Sequence, residues 1–499
     1  MRSEELNNKL IIAAKWSAIT EVVSKFITPL TNMILARIVS PEAFGVVATI
    51  TMITSFADML TDAGFQKYLV QYEFKNEEEK YKSASVAFWT NFIVSIILWM
   101  TIITLRDKIA NLVGNPGLGN VIAISSVQVV LTSFSSIQIA LYRRDFDFKT
   151  LFTVRIIAIC IPFIITIPLA YLGFSYWSII TGSIIMQCLN AIILTLKSRW
   201  KPKCFYSWSL LKKMISFSIW SLIEAISIWF TTWIDMFIIG SVLDDYYLGI
   251  YRTSTSMVNT VMSLITSSII PVLFSALSRL QNDNNKFSKF YFNTQKLVAI
   301  FMLPMGVGLY LFSDVATKIL LGDKWASASE VIGIWSLTSS IMIVFSYFSS
   351  EVYRAKGKPK LSFLSQILHL IVLVPVCIIS SKYGFEILVY SRAWIRMEAV
   401  LINIIIMQLI FQISFIQTLK NVSPVLISTV VMGIIGFSIV NISTNILWSF
   451  TGIIICGIVY FSILYMFPSM RRDIDYTFRF LNKKLNFSSS IKFKYTYRK

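Results

Sequence analysis

The sequence predicts an all-α membrane protein, and three observations carry that prediction. Of the 499 residues, 56% are apolar and only 14% charged, where soluble domains carry roughly 25% charged residues; the mean hydropathy is +0.68. Fourteen apolar segments are long enough to span a bilayer, at about 20 residues each. The lysines and arginines alternate in density between successive loops, as in a chain that crosses a membrane repeatedly.

The first hairpin sets the register. Within Ile34 to Gln71, Ser40 suits a helix N-cap, Pro41 the first helical position, and Glu42 the positive end of the helix dipole. So tight a turn makes the flanking segments antiparallel neighbours. The segments run at 10–36, 43–66, 84–105, 118–141, 151–172, 176–196, 214–240, 249–278, 294–313, 328–350, 361–381, 388–411, 422–441 and 447–467. Only Gly173, Phe174 and Ser175 separate the fifth from the sixth, and the glycine permits the turn that the split requires. A shift of 204 residues lays Gly45 on Gly249, Trp16 and Ser17 on Trp220 and Ser221, and Ile34 and Leu35 on Ile238 and Ile239. It spans six helices, an even number, as a parallel repeat about the membrane normal requires. The expected organisation is a six-helix lobe over 1–200, a cytoplasmic bridge over 201–213, and a second, pseudo-symmetric six-helix lobe over 214–411. A C-terminal helix pair follows over 422–467, then a basic tail over 468–499.

With a cytoplasmic N-terminus, the inner loops and tails hold 32 lysines and arginines, the outer loops 6, and the helices 7. The expectation is a multi-pass protein of the bacterial cytoplasmic (inner) membrane with both termini cytoplasmic. Cysteines placed at Asn115 or Asp244 should then face outside, and one at Asn284 inside. The net charge of +19 is divided among short loops without a continuous face, which argues against a nucleic-acid partner. Five cysteines stand singly, four of them in apolar segments that need only a small hydrophobe. The single histidine, His369, reads as a core residue. Two D-x-D triplets, Asp145–Asp147 and Asp473–Asp475, each follow a pair of arginines in a short segment with no soluble domain attached. No glycine-rich phosphate loop, nucleophile triad or metal cluster appears, so neither enzyme activity nor a cofactor is expected. The first segment carries Lys15, Glu21 and Lys25 without a small-residue cleavage site, and reads as a helix that stays.

Several motifs fall in order along residues 14–360. ILARIVSPEAFGVVA and FADMLTDAGFQKYLVQ form the first hairpin; LYRRDFDFK follows at 141–149, WKP at 200–202 with FYSW after it, IDMFIIGSVLDDYYLGIY at 234–251, PVLFSALSRLQND at 271–283 and LLGDKW at 320–325. Together they resemble the Wzx-like polysaccharide exporters of the colanic-acid-exporter type, in the multidrug/oligosaccharidyl-lipid/polysaccharide exporter superfamily. The resemblance implies two lobes around a central cavity. It implies a flippase that moves undecaprenyl-pyrophosphate-linked oligosaccharide by alternating access, for capsule, O-antigen or exopolysaccharide synthesis. It also implies lipid-linked oligosaccharide and membrane lipids as partners, an H+ or Na+ gradient as the drive, and polysaccharide polymerase machinery nearby. Gln66 and Lys67 depart from the family's small residues there. The alternative is a drug or cation antiporter of the same fold. A membrane glycosyltransferase or polymerase would need a catalytic domain or large loop that the segment lengths do not leave room for.

Charge inside a span is expensive and points to function more often than surface charge does. Lys25 and Glu21 lie mid-segment at the favourable i,i+4 spacing, as a structural pair or as a cavity-facing cation held by a carboxylate. Arg252 and Arg396 complete the expected cationic substrate cavity; by the resemblance, the first and eighth helices line the cleft. Asp235 lies at a depth comparable to Arg252 on the preceding antiparallel helix, which suggests a salt bridge between them. Otherwise Asp235 and Glu224 are the ion-coupling candidates. Lys15, Arg155 and Lys296 sit about one turn from the cytoplasmic ends and Arg392 near an outer end, where long side chains snorkel. Asp58 and Asp62, like charges at i,i+4, predict a hydrated inner mouth.

Overall fold

Each expected segment forms a helix, and no strand occurs among the described residues, which in this computed structural model are 2–62, 64–443 and 445–471. The long helices are α1 (Arg2–Ile38), α2 (Pro41–Asp62), α3 (Glu77–Thr104), α4 (Gly119–Arg144), α5 (Phe148–Tyr171), α6 (Tyr176–Lys197) and α7 (Trp208–Val242), with short helices at Phe65–Gln71, Arg106–Leu112 and Ser313–Leu320 between long ones. The long helices continue as α8 (Asp245–Arg279), α9 (Asn284–Leu311), α10 (Ala328–Ala355), α11 (Lys360–Ser381), α12 (Phe385–Phe411), α13 (Phe415–Val440) and α14 (Ile446–Met466). Thirteen of these, α2 to α14, contain stretches long and apolar enough to cross a membrane. The other, α1, is a 37-residue helix with Lys15, Glu21 and Lys25 inside it.

Local chemistry accounts for the helix boundaries. Pro41 opens α2 with Glu42 in its first turn, and the Phe44 amide donates to the Ser40 carbonyl at 3.3 Å. Gly173 at φ 87° and Ser175 at φ 47° turn the chain between α5 and α6. Five helices begin well before their apolar stretch: α1 at Arg2, α3 at Glu77, α7 at Trp208, α9 at Asn284 and α13 at Phe415. Asp283 and Ser414 cap the last two by accepting from the amides of Lys286 and Gln417, so polar first turns are held as helix. In α5, Pro162 has no N–H for the Ala158 carbonyl, and the ladder widens into a π-helical turn over Pro162–Thr166.

The chain forms two compact units. The first holds α1 to α7, α8 as far as Leu264, Thr317–Val331 and Ser362–Glu398. The second holds Ile265–Ala316, Ile332–Leu361 and the described residues from Ala399 onward. Within the second, α9, α13 and α14 pack together, and the Tyr460 hydroxyl donates to the Ile300 carbonyl at 2.7 Å. Most of the expected basic tail, from residue 472 on, lies outside the described residues, and so does the triplet Asp473–Asp475.

The first D-x-D triplet has structural partners. Asp147 caps α5, accepting from the Thr150 amide at 3.1 Å and its hydroxyl at 2.7 Å. Asp145 lies 3.5 Å from the buried Lys80 ammonium, which also pairs with Glu77 at 2.7 Å. Asp58, expected at a hydrated mouth, instead accepts from the Thr132 hydroxyl of α4 at 2.5 Å. Cys160 is exposed rather than a buried filler, while Cys377 and Cys456 are buried as expected.

Within the first unit, glycines bring the start of α2 against the start of α8, a contact we call the seal. A Cβ on Gly45 would overlap the Asp245 carbonyl, and one on Gly249 would overlap the Pro41 carbonyl. The 204-residue shift converts each contact into the other, since it takes Pro41 to Asp245 and Gly45 to Gly249. A loop glycine packs on each side of the seal. Gly114 (φ 79°) sits against the backbone of Gly240 and Ser241, near the end of α7. Gly322 (φ 95°) touches Arg37 near the end of α1, where Trp325 Nε1 donates to the Ala36 carbonyl at 2.7 Å. Beyond the seal α7 continues along α2: Trp229 Nε1 donates to Ser55 Oγ at 3.0 Å, and Ser218 Oγ to the Gly64 carbonyl at 3.1 Å.

Candidate functional site

In the first unit, α1 presents a polar stripe at helical spacing: Ser17, Thr20, Glu21, Ser24, Lys25 and Thr28. These residues form one wall of a cavity of about 520 Å³. Opposite them α5 contributes Leu151, Val154, Arg155 and Ala158, a single face by the same periodicity. Arg143 of α4, Asn190 of α6 and Thr260 of α8 complete the polar lining. Trp16 packs against Phe152 with centroids 4.8 Å apart and the rings tilted by 45°, which holds α1 against α5.

The cavity holds three cations and one carboxylate. Lys25 is largely enclosed: its ammonium donates to the Ser263 carbonyl of α8 at 2.6 Å and lies 3.4 Å from Glu21. Glu21 keeps 60% of its side chain exposed, so it can yield Lys25 to a stronger anion. Arg155 Nε reaches Ser24 Oγ at 3.4 Å. The sequence suggested a snorkelling role for Arg155; in the structure it is exposed and lines the cavity, within reach of Ser24 on α1.

Two smaller cavities continue along α1. One of about 260 Å³ shares Thr28, Arg155 and Ala158 with the first, and is lined further on by Thr31, Asn32, the π-turn residues Pro162 and Thr166, and Gly182. The other, about 130 Å³, shares Asn32 and reaches Arg252 together with Phe44, Thr51 and Ser256. Lys25 and Arg252, both expected to bind the headgroup, therefore lie at opposite ends of a series of adjoining cavities. Arg155 stands between them.

The expected Asp235–Arg252 bridge is replaced by another. Asp235 Oδ2 accepts from Arg392 Nε and from the Tyr251 hydroxyl, each at 2.7 Å, and Oδ1 accepts from the Met236 amide at 2.8 Å. Both Asp235 and Arg392 are more than nine-tenths buried. Arg252 lies over the Trp233 ring at 4.5 Å instead. Arg392 thus ties α12 to α7 rather than snorkelling, and Arg396 joins this cluster rather than the cavity of Lys25. Glu224 is half exposed, 3.8 Å from Lys67, which gives that departing lysine a partner. Losing one member of a buried pair strands the other charge, at a cost of about 3–5 kcal/mol. Arg392→Met should lower the thermal midpoint of the detergent-solubilised protein, and Asp235→Leu in the same chain should recover most of the loss. A single variant as stable as the parent would contradict the pairing.

Sequence reasoning missed Arg143 and the site role of Arg155, although the hydroxyl stripe of α1 was a readable signal. It also missed Glu398, whose Oε2 lies 2.8 Å from His369 Nδ1; 29 residues separate the two in sequence, and nothing local marks them as partners.

A model of the family described as polysaccharide biosynthesis protein matches residues 34–330. The succinoglycan biosynthesis transport protein ExoT of Rhizobium meliloti (strain 1021) is 24% identical over 67% of each chain. The lipopolysaccharide biosynthesis protein WzxC of Escherichia coli (strain K12) is 22% identical over 76% of each. Among solved structures, the lipid II flippase MurJ in an inward closed conformation superposes with a TM-score of 0.72 at 17% identity, over 92% of this chain and 99% of that one. At that identity the likeness speaks for the fold.

Proposed function

The chain belongs to the polysaccharide biosynthesis protein family, and from that premise we propose that it is a flippase for undecaprenyl-pyrophosphate-linked oligosaccharide, serving surface polysaccharide synthesis. The observation that carries this reading is the 520 Å³ cavity in which Lys25, Arg143 and Arg155 face one carboxylate. A diphosphate brings at least two negative charges into a hydrocarbon-walled space, and fixed cations offset much of that cost where the effective dielectric is low. The same lining repels a cationic drug, which disfavours the antiporter reading. The series of cavities from Lys25 past Arg155 to Arg252 suits an anion that moves along α1 while its isoprenoid tail stays in lipid. The ExoT and WzxC relatives are named for polysaccharide transport and biosynthesis, in agreement with such a cargo. A binding assay tests the reading. Purified protein should bind an isoprenoid-diphosphate sugar competitively with inorganic pyrophosphate and ignore lipophilic cations; the reverse preference would refute it.

We further propose that lobes 1–200 and 214–411 rock about the pseudo-twofold axis implied by the seal, and that the seal faces outside, as the lysine and arginine distribution requires. Asn115 is unsuited to test this orientation, because it is buried and donates to Thr49 Oγ1 at 3.1 Å. Exposed Asn111 and Asp244 are suitable. Cysteines at those two positions should react with an impermeant thiol reagent added outside intact cells, and one at Asn284 should not. Labelling of Asn284→Cys alone would invert the topology.

A further inference from the structure

We propose that His369 and Glu398 form the proton-binding site that couples transport to a pH gradient, an inference that rests on the flippase reading. The chain has one histidine, and it is buried on α11 with its Nδ1 2.8 Å from Glu398 Oε2 on α12. The other charged groups that reach the imidazole are Arg392 and Arg396, also on α12, and Asp235 on α7. Asp235 was the coupling candidate by sequence, but its oxygens already accept from Arg392, Tyr251 and the Met236 amide. That carboxylate is saturated by a tethered cation. The His369–Glu398 pair is different, since Glu398 leaves a quarter of its side chain open and its Oε2 meets an imidazole.

Charge balance supplies the coupling. With a neutral imidazole, the carboxylates of Asp235 and Glu398 offset two of the three guanidiniums of Arg252, Arg392 and Arg396. One proton taken from water onto the pair adds a further uncompensated positive charge. In a low-dielectric interior that charge is costly, and it becomes acceptable when the pair meets water or an anion occupies the transport path. Proton uptake and release therefore follow the exposure of the pair during the transport cycle. The Asp235 hydrogen bonds tie α7, α8 and α12, and the His369–Glu398 contact joins α11 to α12, so a change of charge there acts on four helices together.

The single histidine allows a test that does not depend on transport. In protein carrying 13C-histidine and purified without a histidine tag, the one imidazole Cε1 resonance should show a protonation step, and Glu398→Gln should displace that step, because the imidazolium loses its carboxylate. In proteoliposomes, a pH gradient should accelerate translocation of an isoprenoid-diphosphate sugar by the parent at least about tenfold. His369→Gln should lose that acceleration and keep gradient-free exchange of the sugar. A resonance that does not titrate, or a pH-gradient response that persists in both His369→Gln and Glu398→Gln, overturns the proposal. If the parent moves no lipid-linked sugar under any gradient, the flippase reading falls, while the titration still decides whether the pair takes a proton.

Discussion

Replacing Gly249 by alanine should reduce export of the lipid-linked sugar at least about tenfold while protein remains in the membrane. By helix propensity alone the sign would be opposite, since alanine is favoured over glycine inside a helix by about 1 kcal/mol. At this position the added methyl meets the Pro41 carbonyl oxygen and the Gly45 amide nitrogen, backbone atoms that no rotamer change can move aside. The start of α8 must then separate from the start of α2, and the seal cannot close. Thr51 lines the small cavity with Arg252, so a cysteine there reports the opening. In the Gly249→Ala background it should react from outside far faster than in the parent. Gly45→Ala should behave alike because the contact is reciprocal, and combining the two should add little, since both disable one seal. Normal export with unchanged labelling in both alanine variants would contradict this role.

Lys25→Ala and Arg155→Ala should each lower export by about 10- to 100-fold, the equivalent of one charge-assisted hydrogen bond of about 1.5–3 kcal/mol. Lys25 has the larger expected effect because it also bridges α1 to the Ser263 carbonyl. A phosphate that draws off this ammonium releases the bridge as it binds, so substrate binding and movement of α1 relative to α8 within the first unit are one event. Lys25→Arg should retain partial activity, since the charge is kept while the longer, planar fork fits the Ser263 carbonyl less well. Glu21→Gln should tighten substrate binding and slow release, because the competing carboxylate is gone. Export at the parent rate by both Lys25→Ala and Arg155→Ala would make these residues structural.

What the sequence made legible was whatever is written in local periodicity. Apolar stretches, Ser40–Pro41 and Gly173 placed the helices to within a turn in most cases. α1, α3, α7, α9 and α13 start earlier than expected; at α3, α9 and α13 the polar first turns are held by Asn76, Asp283 and Ser414, where apolarity ends before helicity does. Lys25, Arg252 and Glu21 were visible because charge within a span is conspicuous. The i,i+4 pairing of Lys25 with Glu21 was legible too, but the distant partners were not: Asp235 finds Arg392 across 157 residues, and Lys25 finds Ser263 across 238. Depth along a helix can be estimated from sequence, whereas the direction a side chain takes around it depends on packing. That is why Arg155 read as a residue reaching for the surface and proved to face Ser24. The repeat carried few identities, yet it became physical at the seal, where the pairs Pro41–Gly249 and Gly45–Asp245 exchange under the same shift.

The flippase claim is tested most directly by reconstitution. Purified protein in sealed vesicles, loaded with undecaprenyl-pyrophosphate-linked oligosaccharide in both leaflets, should make the whole pool accessible to an impermeant sugar-modifying enzyme added outside. Vesicles with the Lys25→Ala variant should reach the inner-leaflet half about 10- to 100-fold more slowly, and vesicles without protein should stop at the outer-leaflet half. If the parent protein also stops at half, while the same vesicles exchange a lipophilic cation drug, the chain is an antiporter of this fold and not a flippase.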